Sequence, residues 1–314
     1  MPTPAGSIII VTHNSNGYIS ECLRALPASG WEIVVIDNAS EDDTVARVKT
    51  SSFKVNLIEN QRNAGFAAAV NQGVHQAQTE LLLILNPDSI ARADALDSIR
   101  RVLQSPDAGA AGGLLVDANG QPQIGFVLRR FPRVADMLAE IFLLNRLWPR
   151  NPWNRRYRCL DFDYTRQQEV DQPAGACLAF RREIWEKVGG FDESFFPVWF
   201  EDVDFCRRIR DVGRKIIYTP DAVFTHAGAH SVGQIAYTQR QLYWYTNLQR
   251  YFRKHRSPFE LGVLQLGIVI GLVLRSFLAL LGAKPDGVGR WEAVRAYGRG
   301  GGSAFQVWRS WSKR

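Results

Sequence analysis

The chain has 314 residues, which fits one large domain or one domain with appendages, and 46% of them are hydrophobic, ordinary for a globular protein and enough for a sizeable core. Its net charge of +7 is unevenly spread: Arg129, Arg130, Arg133, Arg146, Arg150, Arg155, Arg156 and Arg158 stand against only Asp136 and Glu140 in one stretch, and the tail after Arg290 is again basic and rich in Trp, a balance suited to phosphates, anionic lipid or nucleic acid. Cys22, Cys159, Cys177 and Cys206 are far apart with no C-x-x-C spacing, which argues against a zinc site, and no charged segment followed by an apolar core opens the chain, so reduced thiols in a cytoplasmic setting are the expectation.

Ser7–Thr12 is a β-branched run that reads as a buried first strand. A polar loop, His13 to Gly17, leads to a short helix over Ser20–Leu26, stopped by Pro27 and Gly30. Glu32–Ile36 is a second strand closing on Asp37, and Ser40 is placed to cap a helix over Glu41–Thr50. Val55–Glu59 is a third strand, Phe66–Ala77 a helix of small residues, and Leu81–Leu85 a fourth strand ending abruptly in Asn86-Pro87-Asp88. Strands and helices alternating at this spacing predict an α/β fold with a mainly parallel sheet flanked by helices.

Beyond this point a helix is expected over Ala93–Leu103, a strand over Ala110–Val116 and a turn at Asp117–Gly120. From Gly125 to Thr165 the pattern loosens around one helix, Ala135–Leu147. Val170–Phe180 regains strand character, Arg182–Val188 is a helix ended by glycines, and another helix begins near Glu201. Lys215–Thr219 is a late strand, and the stretch after Val223 carries His226 and His230. Phe259–Leu281 is nearly long and apolar enough to span a bilayer, but Glu260, Gln265 and Arg275 interrupt it. With basic residues on both sides it reads better as a helix lying at a membrane interface; a packed C-terminal helix or an oligomer contact is the plainer reading. Gly298–Ser303 reads as a flexible joint.

Three strand ends carry polar groups: Thr12, Asp37, and the Asn86-Pro87-Asp88 run. In a parallel sheet these ends share one edge, where ligands of open α/β folds bind. Asp37 can accept a hydrogen bond from a nucleobase, and Asn86 and Asp88 offer hard oxygen ligands for a divalent cation beside a diphosphate. Singly, each reads as a cap or turn residue; together they point to a site.

The segments SIIIVTHN, VVIDNASEDDT, NAGFAAAVNQG, LLLILNPD and PAGACLAFRREIWEKVGGFDESFFPVWFEDVDFCRR, in this order, resemble the inverting family-2 glycosyltransferases of GT-A fold, in their rhamnosyltransferase-like branch. The resemblance covers roughly Ser7 to Gln234. It implies a GT-A catalytic domain over 1–235, with a donor half to about 117 and an acceptor half from 118; the residues beyond it, 236–314, read from their own composition as a helical, basic, membrane-associating region. It implies that Thr12, Asn14, Asp37, Asn38, Asn63, Gly65, Phe66, Asn86 and Asp88 bind a nucleotide sugar. Asn86 stands where many members carry the first acid of Asp-x-Asp, leaving Asp88 as main ligand of Mg²⁺ or Mn²⁺, joined by His226, with His230 as the alternative. Glu201 and Asp202 match the acidic pair that supplies the general base, and Asp202 is chosen for that role. Glu201, Gly175, Ala176 and Trp199 would meet the acceptor, although Gly175-Ala176 reads equally as a tight turn, Trp199 as core, and the acids as macrodipole partners of their helix.

The implied reaction moves a sugar, foremost L-rhamnose from dTDP-rhamnose with UDP-sugars as alternative donors, onto a glycan or polyprenyl-diphosphate-linked acceptor at the inner face of the cell membrane. An oligomer is compatible with this reading. A nucleotidyltransferase would need a Lys-bearing Gly-rich loop after the first strand, which His13–Gly17 is not. A basic nucleic-acid-binding protein would give the strand-end carboxylates no role, and no nucleic-acid partner is expected.

Overall fold

The computed structural model describes residues 4–27, 30–228, 233, 235–285 and 287–309. Its first half alternates as β1 (Gly6–Thr12), α1 (Ile19–Arg24), β2 (Trp31–Asp37), α2 (Thr44–Lys49), β3 (Val55–Glu59), α3 (Phe66–Gln76) and β4 (Leu81–Leu85). Then come β5 (Ser89–Ala91), α4 (Ala95–Leu103), β6 (Ala108–Val116) and β7 (Leu128–Arg129). The Arg-rich stretch folds as α5 (Val134–Ile141), α6 (Leu144–Leu147) and α7 (Pro152–Tyr157). β8 (Gln168–Glu169), β9 (Gln172–Pro173), β10 (Cys177–Arg181), α8 (Arg182–Val188), α9 (Glu201–Asp211) and β11 (Lys215–His226) follow, and α10 (Tyr237–His255), α11 (Pro258–Leu280) and α12 (Arg290–Arg309) close the chain.

Contacts cluster into two units. One comprises 1–131, 161–197 and 201–231; the other comprises 132–160, 198–200 and 232–314. The first unit is built on a mixed sheet in the order β3-β2-β1-β4-β10-β6-β11-β5, with β8 beside β11. The ladders β3-β2, β2-β1, β1-β4 and β6-β11 are parallel, whereas β10 runs antiparallel to both β4 and β6. Ile8, Ile9, Ile10, Val34, Val35 and the whole of β4 are buried, as expected of strands covered on both faces. α3 lies against β1 and β2. Its C-terminal carbonyls are capped from a distance: the Arg182 guanidinium donates to Val74 O (3.0 Å) and Ala77 O (2.7 Å), where a cation suits the helix dipole.

The second unit is helical. Ser257 and Glu260 form a reciprocal capping box that starts α11, with Pro258 in the first turn. Asp136 is buried at the start of α5, held by the Arg133 backbone N–H (2.9 Å) and the Arg156 guanidinium (2.5 Å).

Several local expectations differ from the structure. Ser40 does not cap a helix; its hydroxyl and backbone N–H both turn onto Asp37, and α2 starts later at Thr44. The helix expected over 135–147 breaks after Ile141, where Leu143 takes φ +62°. Val170–Phe180 is not one strand but two, split by the turn Ala174–Ala176. Gly298–Ser303 is not a joint: α12 runs through it, its Ala293, Ala296 and Tyr297 buried, so packing outweighs the low helix propensity of glycine.

Candidate active site

The register of the sheet brings the strand ends together. Thr12 pairs with Asp37 at the ends of β1 and β2, and Ile10 pairs with Leu85 at the end of β4. Because β10 is antiparallel, its start lies on this same edge, with Cys177 opposite Leu85.

Asp37 is 2% exposed. Its Oδ1 accepts from the hydroxyls of Thr12 (2.8 Å) and Ser40 (2.6 Å), and its Oδ2 from the Ser40 backbone N–H (2.8 Å). Oδ2 retains lone-pair capacity for one more donor. Asn38 is also buried and ties the neighbouring loops: its amide N–H donates to Gly65 O (3.2 Å), and its carbonyl accepts from Asn60 (2.9 Å) and Ala64 N (3.3 Å). Asn14 bridges the first two loops, accepting from Glu41 N (2.7 Å) and donating through its backbone to Ser40 Oγ (2.8 Å). Asn63 is exposed and accepts from Gly65 N (2.9 Å). Gly65 sits at φ +86°, and a Cβ there would come within 2.8 Å of the Phe196 ring, so both backbone and space require glycine. Phe66 opens α3, half-buried, with its N–H on Pro197 O (2.8 Å).

After β4 the chain crosses the sheet edge and β5 pairs with the end of β11, setting Ser89 opposite His226. Asp88 and His226 meet there, 8% and 2% exposed, with Asp88 Oδ1 3.4 Å from His226 Nε2. Two hydrogen bonds assign the imidazole tautomer. Gln123 Nε2 donates to His226 O (2.7 Å), which turns Gln123 Oε1 toward His226 Nδ1 (2.9 Å). Nδ1 therefore carries the proton, and Nε2 presents a lone pair toward the Asp88 carboxylate. Burial lowers the His226 pKa, with the Asp88 charge opposing, so the neutral ring is favoured. The Phe126 ring stacks on the imidazole at 5.1 Å and 10°, and Gly228 N donates to Asp88 Oδ2 (3.1 Å). Two facing acceptors across 3.4 Å suit a cation with bonds of about 2.1 Å to each. Asn86 Nδ2 is 3.5 Å from the same Nε2, so rotation of this amide would add an oxygen ligand. Among the described residues no cluster of three or more His, Cys, Asp or Glu that could hold a metal ion is found. His230 lies outside the described residues.

The turn before β10 links this pair to the acids of α9. Ala176 O accepts from Asn86 N (3.0 Å), and Gly175 N donates to Asp202 Oδ2 (3.0 Å). Gln172 Nε2 also donates to Oδ2 (2.9 Å), and Val203 N to Oδ1 (2.8 Å). Asp202 is half-buried, and burial raises its pKa despite these donors and the nearby Arg129 charge. Glu201 is 4% exposed, and its Oε2 has no hydrogen-bond partner among the described residues. Burial, and after it the Asp202 and Asp204 charges, push Glu201 well above the ordinary carboxylate range, which favours its protonated form. Asp204 is fully buried and paired with Arg208 at 2.6 Å. Trp199 is half-buried in the second unit at φ +80°, followed by Phe200 at φ +72°, two strained residues immediately before Glu201 in the chain.

Gln123, Phe126 and Gln172 carry no signal of their own in the sequence, and Arg129 stands out there only as part of the basic stretch 129–158. Gln123 reaches a partner 103 residues away and Gln172 one 30 residues away, in segments without periodic pattern. The strand character near Val170 was the one signal that Gln172 adjoins the sheet.

A mixed, mainly parallel sheet with helices on its faces and polar strand ends along one edge has the GT-A fold, which its solved neighbours share. The mannosyltransferase PcManGT from Pyrobaculum calidifontis, solved with GDP-Man and Mn²⁺, superposes at a TM-score of 0.54 and 20% identity over 99% of this chain and 88% of its own. TarS of S. aureus superposes at 0.51 and 16% over 96% and 91%. Residues 7–189 match the model of Glycosyl transferase family 2, and the chain belongs to that family: it is a glycosyltransferase. The N-acetylglucosaminyl-diphospho-decaprenol L-rhamnosyltransferase of Mycobacterium tuberculosis is 28% identical over 72% of this chain and 77% of its own. The rhamnosyltransferase WbbL of Escherichia coli K12 is 25% identical over 71% and 83%.

Proposed function

We propose that this glycosyltransferase inverts the anomeric centre of its donor, foremost dTDP-L-rhamnose, and transfers the sugar to a polyprenyl-diphosphate-linked or glycan acceptor in cell-surface polysaccharide synthesis. The observation that carries the reading is the tautomer-locked pair Asp88–His226 on the same sheet edge as the Asp37 carboxylate. The names of the rhamnosyltransferase relatives support donor and acceptor class. The catalytic domain is taken as 1–235, with its donor half to about 117, and 236–314 as a helical region holding the protein at the inner face of the membrane.

In this reading Asp37 accepts the imide N–H of the base, with Thr12, Asn14 and Asn38 fixing the loop around it. Asn63, Gly65 and Phe66 line the nucleotide and sugar. A Mg²⁺ or Mn²⁺ ion on Asp88 and His226, with Asn86 nearby, would offset the charge of the departing diphosphate. Asp202 takes the proton of the acceptor hydroxyl: unlike Glu201 it keeps an exposed edge, and its raised pKa makes it a better base. Glu201, whose protonated form burial favours, would donate a hydrogen bond to the acceptor, with Gly175 and Ala176 lining its approach. The test is transfer across a panel of dTDP- and UDP-sugars with a lipid-diphosphate acceptor analogue, with and without Mn²⁺. Turnover with dTDP-rhamnose is expected; turnover only with a UDP-sugar would reassign the donor, and binding of no nucleotide sugar would sink the reading.

A further inference from the structure

The helical unit carries an apolar surface that its own packing leaves uncovered. α11 is long and apolar enough to cross a membrane. Its packing opposes that use. Leu261, Leu264, Gly267, Ile268, Gly271, Leu272 and Ala279 are buried within the unit. Gly267 and Gly271 leave room for Leu138 and Ile141 of α5 to seat against the helix backbone. Arg275 is satisfied inside the unit: its guanidinium donates to Ile141 O (3.0 Å) and Glu140 O (2.7 Å), carbonyls at the end of α5. A spanning α11 would draw α5 into hydrocarbon together with its Asp136–Arg156 and Glu140–Arg158 ion pairs.

The opposite face of α11 is a clean stripe. Leu266, Ile270, Val273, Phe277 and Leu281 follow one another at steps of four, three, four and four, each between 50% and 68% exposed. Val269, Leu274 and Leu280 widen it, and every exposed residue from Gly262 to Leu281 is glycine or apolar. Cationic side chains stand at both ends: Arg253 and Lys254 before, Lys284 and Arg290 after, with Trp291 64% exposed. A second cluster lies in the segment that follows α5: Leu147 is 82%, Trp148 53% and Trp153 41% exposed, interleaved with exposed Arg146 and Arg150. Apolar stripe, cationic ends and tryptophans are the chemistry of a lipid headgroup boundary.

From this stripe, its cationic ends and the inward pairing of Arg275 we infer that α11 lies in the plane of an anionic bilayer leaflet as a one-sided membrane anchor. The stripe enters the acyl boundary, Trp148, Trp153 and Trp291 sit at headgroup level, and the flanking Arg and Lys meet lipid phosphates. This specifies the membrane-surface part of the proposed function and does not depend on the sugar or the base.

The four cysteines are buried, which makes a single-cysteine probe practical. Full-length protein carrying Val273→Cys with an environment-sensitive fluorophore would be mixed with vesicles of phosphatidylcholine and phosphatidylglycerol. A blue shift, quenching by shallow rather than bilayer-centre lipid quenchers, and loss of binding in pure phosphatidylcholine or high salt are expected. Ile270→Glu with Val273→Glu should weaken vesicle binding at least about tenfold, with nucleotide binding and circular dichroism unchanged. Quenching strongest at the bilayer centre would make the helix spanning and overturn the inference. So would vesicle-independent dimerisation that shields position 273, or vesicle binding untouched by the double substitution. Failure of nucleotide binding in the parent protein would count against the proposed donor site alone.

Discussion

Gln123→Leu should weaken divalent-cation binding although Gln123 is not itself a ligand. In the parent its Oε1 holds the proton on His226 Nδ1 at 2.9 Å. Removing that acceptor leaves a buried N–H unsatisfied, a cost of about 1–3 kcal/mol. The ring, 2% exposed, can escape the cost by moving its proton to Nε2, where Asp88 Oδ1 at 3.4 Å becomes the acceptor. That tautomer has no lone pair left for the cation. The stabilisation it gains is subtracted from metal binding, which predicts roughly a 10–100-fold loss of Mn²⁺ affinity, in line with other residues that orient a ligating histidine. Gln123→Glu keeps an acceptor at Nδ1 and should hold affinity within about threefold of the parent. Mn²⁺ titration followed by EPR, with and without nucleoside diphosphate, reads this directly. Gln123→Leu binding Mn²⁺ like the parent while Asp88→Asn abolishes binding would refute the tautomer argument. Unchanged binding in both Asp88→Asn and His226→Ala would move the cation elsewhere.

Asp202→Asn should lower kcat by roughly 10²–10⁴-fold while donor affinity, measured by calorimetry, stays as in the parent; unchanged turnover would shift the base to Glu201. Because burial raises the Asp202 pKa, the acidic limb of the kcat/KM profile should lie above the ordinary carboxylate range, with activity rising through it as the base ionises. Glu201 is also raised by burial, so its folded value exceeds its unfolded one; its favourable contribution is present below the unfolded value and lost as pH rises through the folded one. Glu201→Gln should therefore melt above the parent at about pH 8 and level with it at about pH 4, and a lower Tm at both would contradict this. Gly65→Ala places a Cβ at φ +86° against Phe196 and should cost about 1–3 kcal/mol of stability and raise the donor KM; a neutral effect on both would show that the loop relaxes freely.

The elements with a clear period were legible. The apolar run Leu81–Leu85 is a fully buried strand ending where Asp88 turns toward the sheet edge, and Asp37 ends β2 beside Thr12. Where local chemistry competed with tertiary contacts, the tertiary contact prevailed. Ser40 is a good cap by composition, yet a buried carboxylate three residues back needs its hydroxyl more. The helix expected to reach Leu147 stops at Ile141, whose side chain and carbonyl are taken up by Gly271 and Arg275 of α11. Gln123 and Gln172 were illegible for a different cause: a glutamine in a loop has no pattern, and its role exists only through a partner brought in by the sheet.

The crossing from β4 to the end of β11 also has a consequence in time. The hydrogen bonds around Asp37 close over short distances along the chain, Thr12 to Asp37 being 25 residues and Ser40 to Asp37 only 3. His226 meets the end of β4 over a far longer separation, 140 residues from Asn86. Contacts of low sequence separation form early and long loops close late, so a refolding chain is expected to assemble its Asp37 edge before His226 arrives. If nucleotide and cation bind as proposed, nucleotide binding should then recover before the response to Mn²⁺, which waits for β11 to dock.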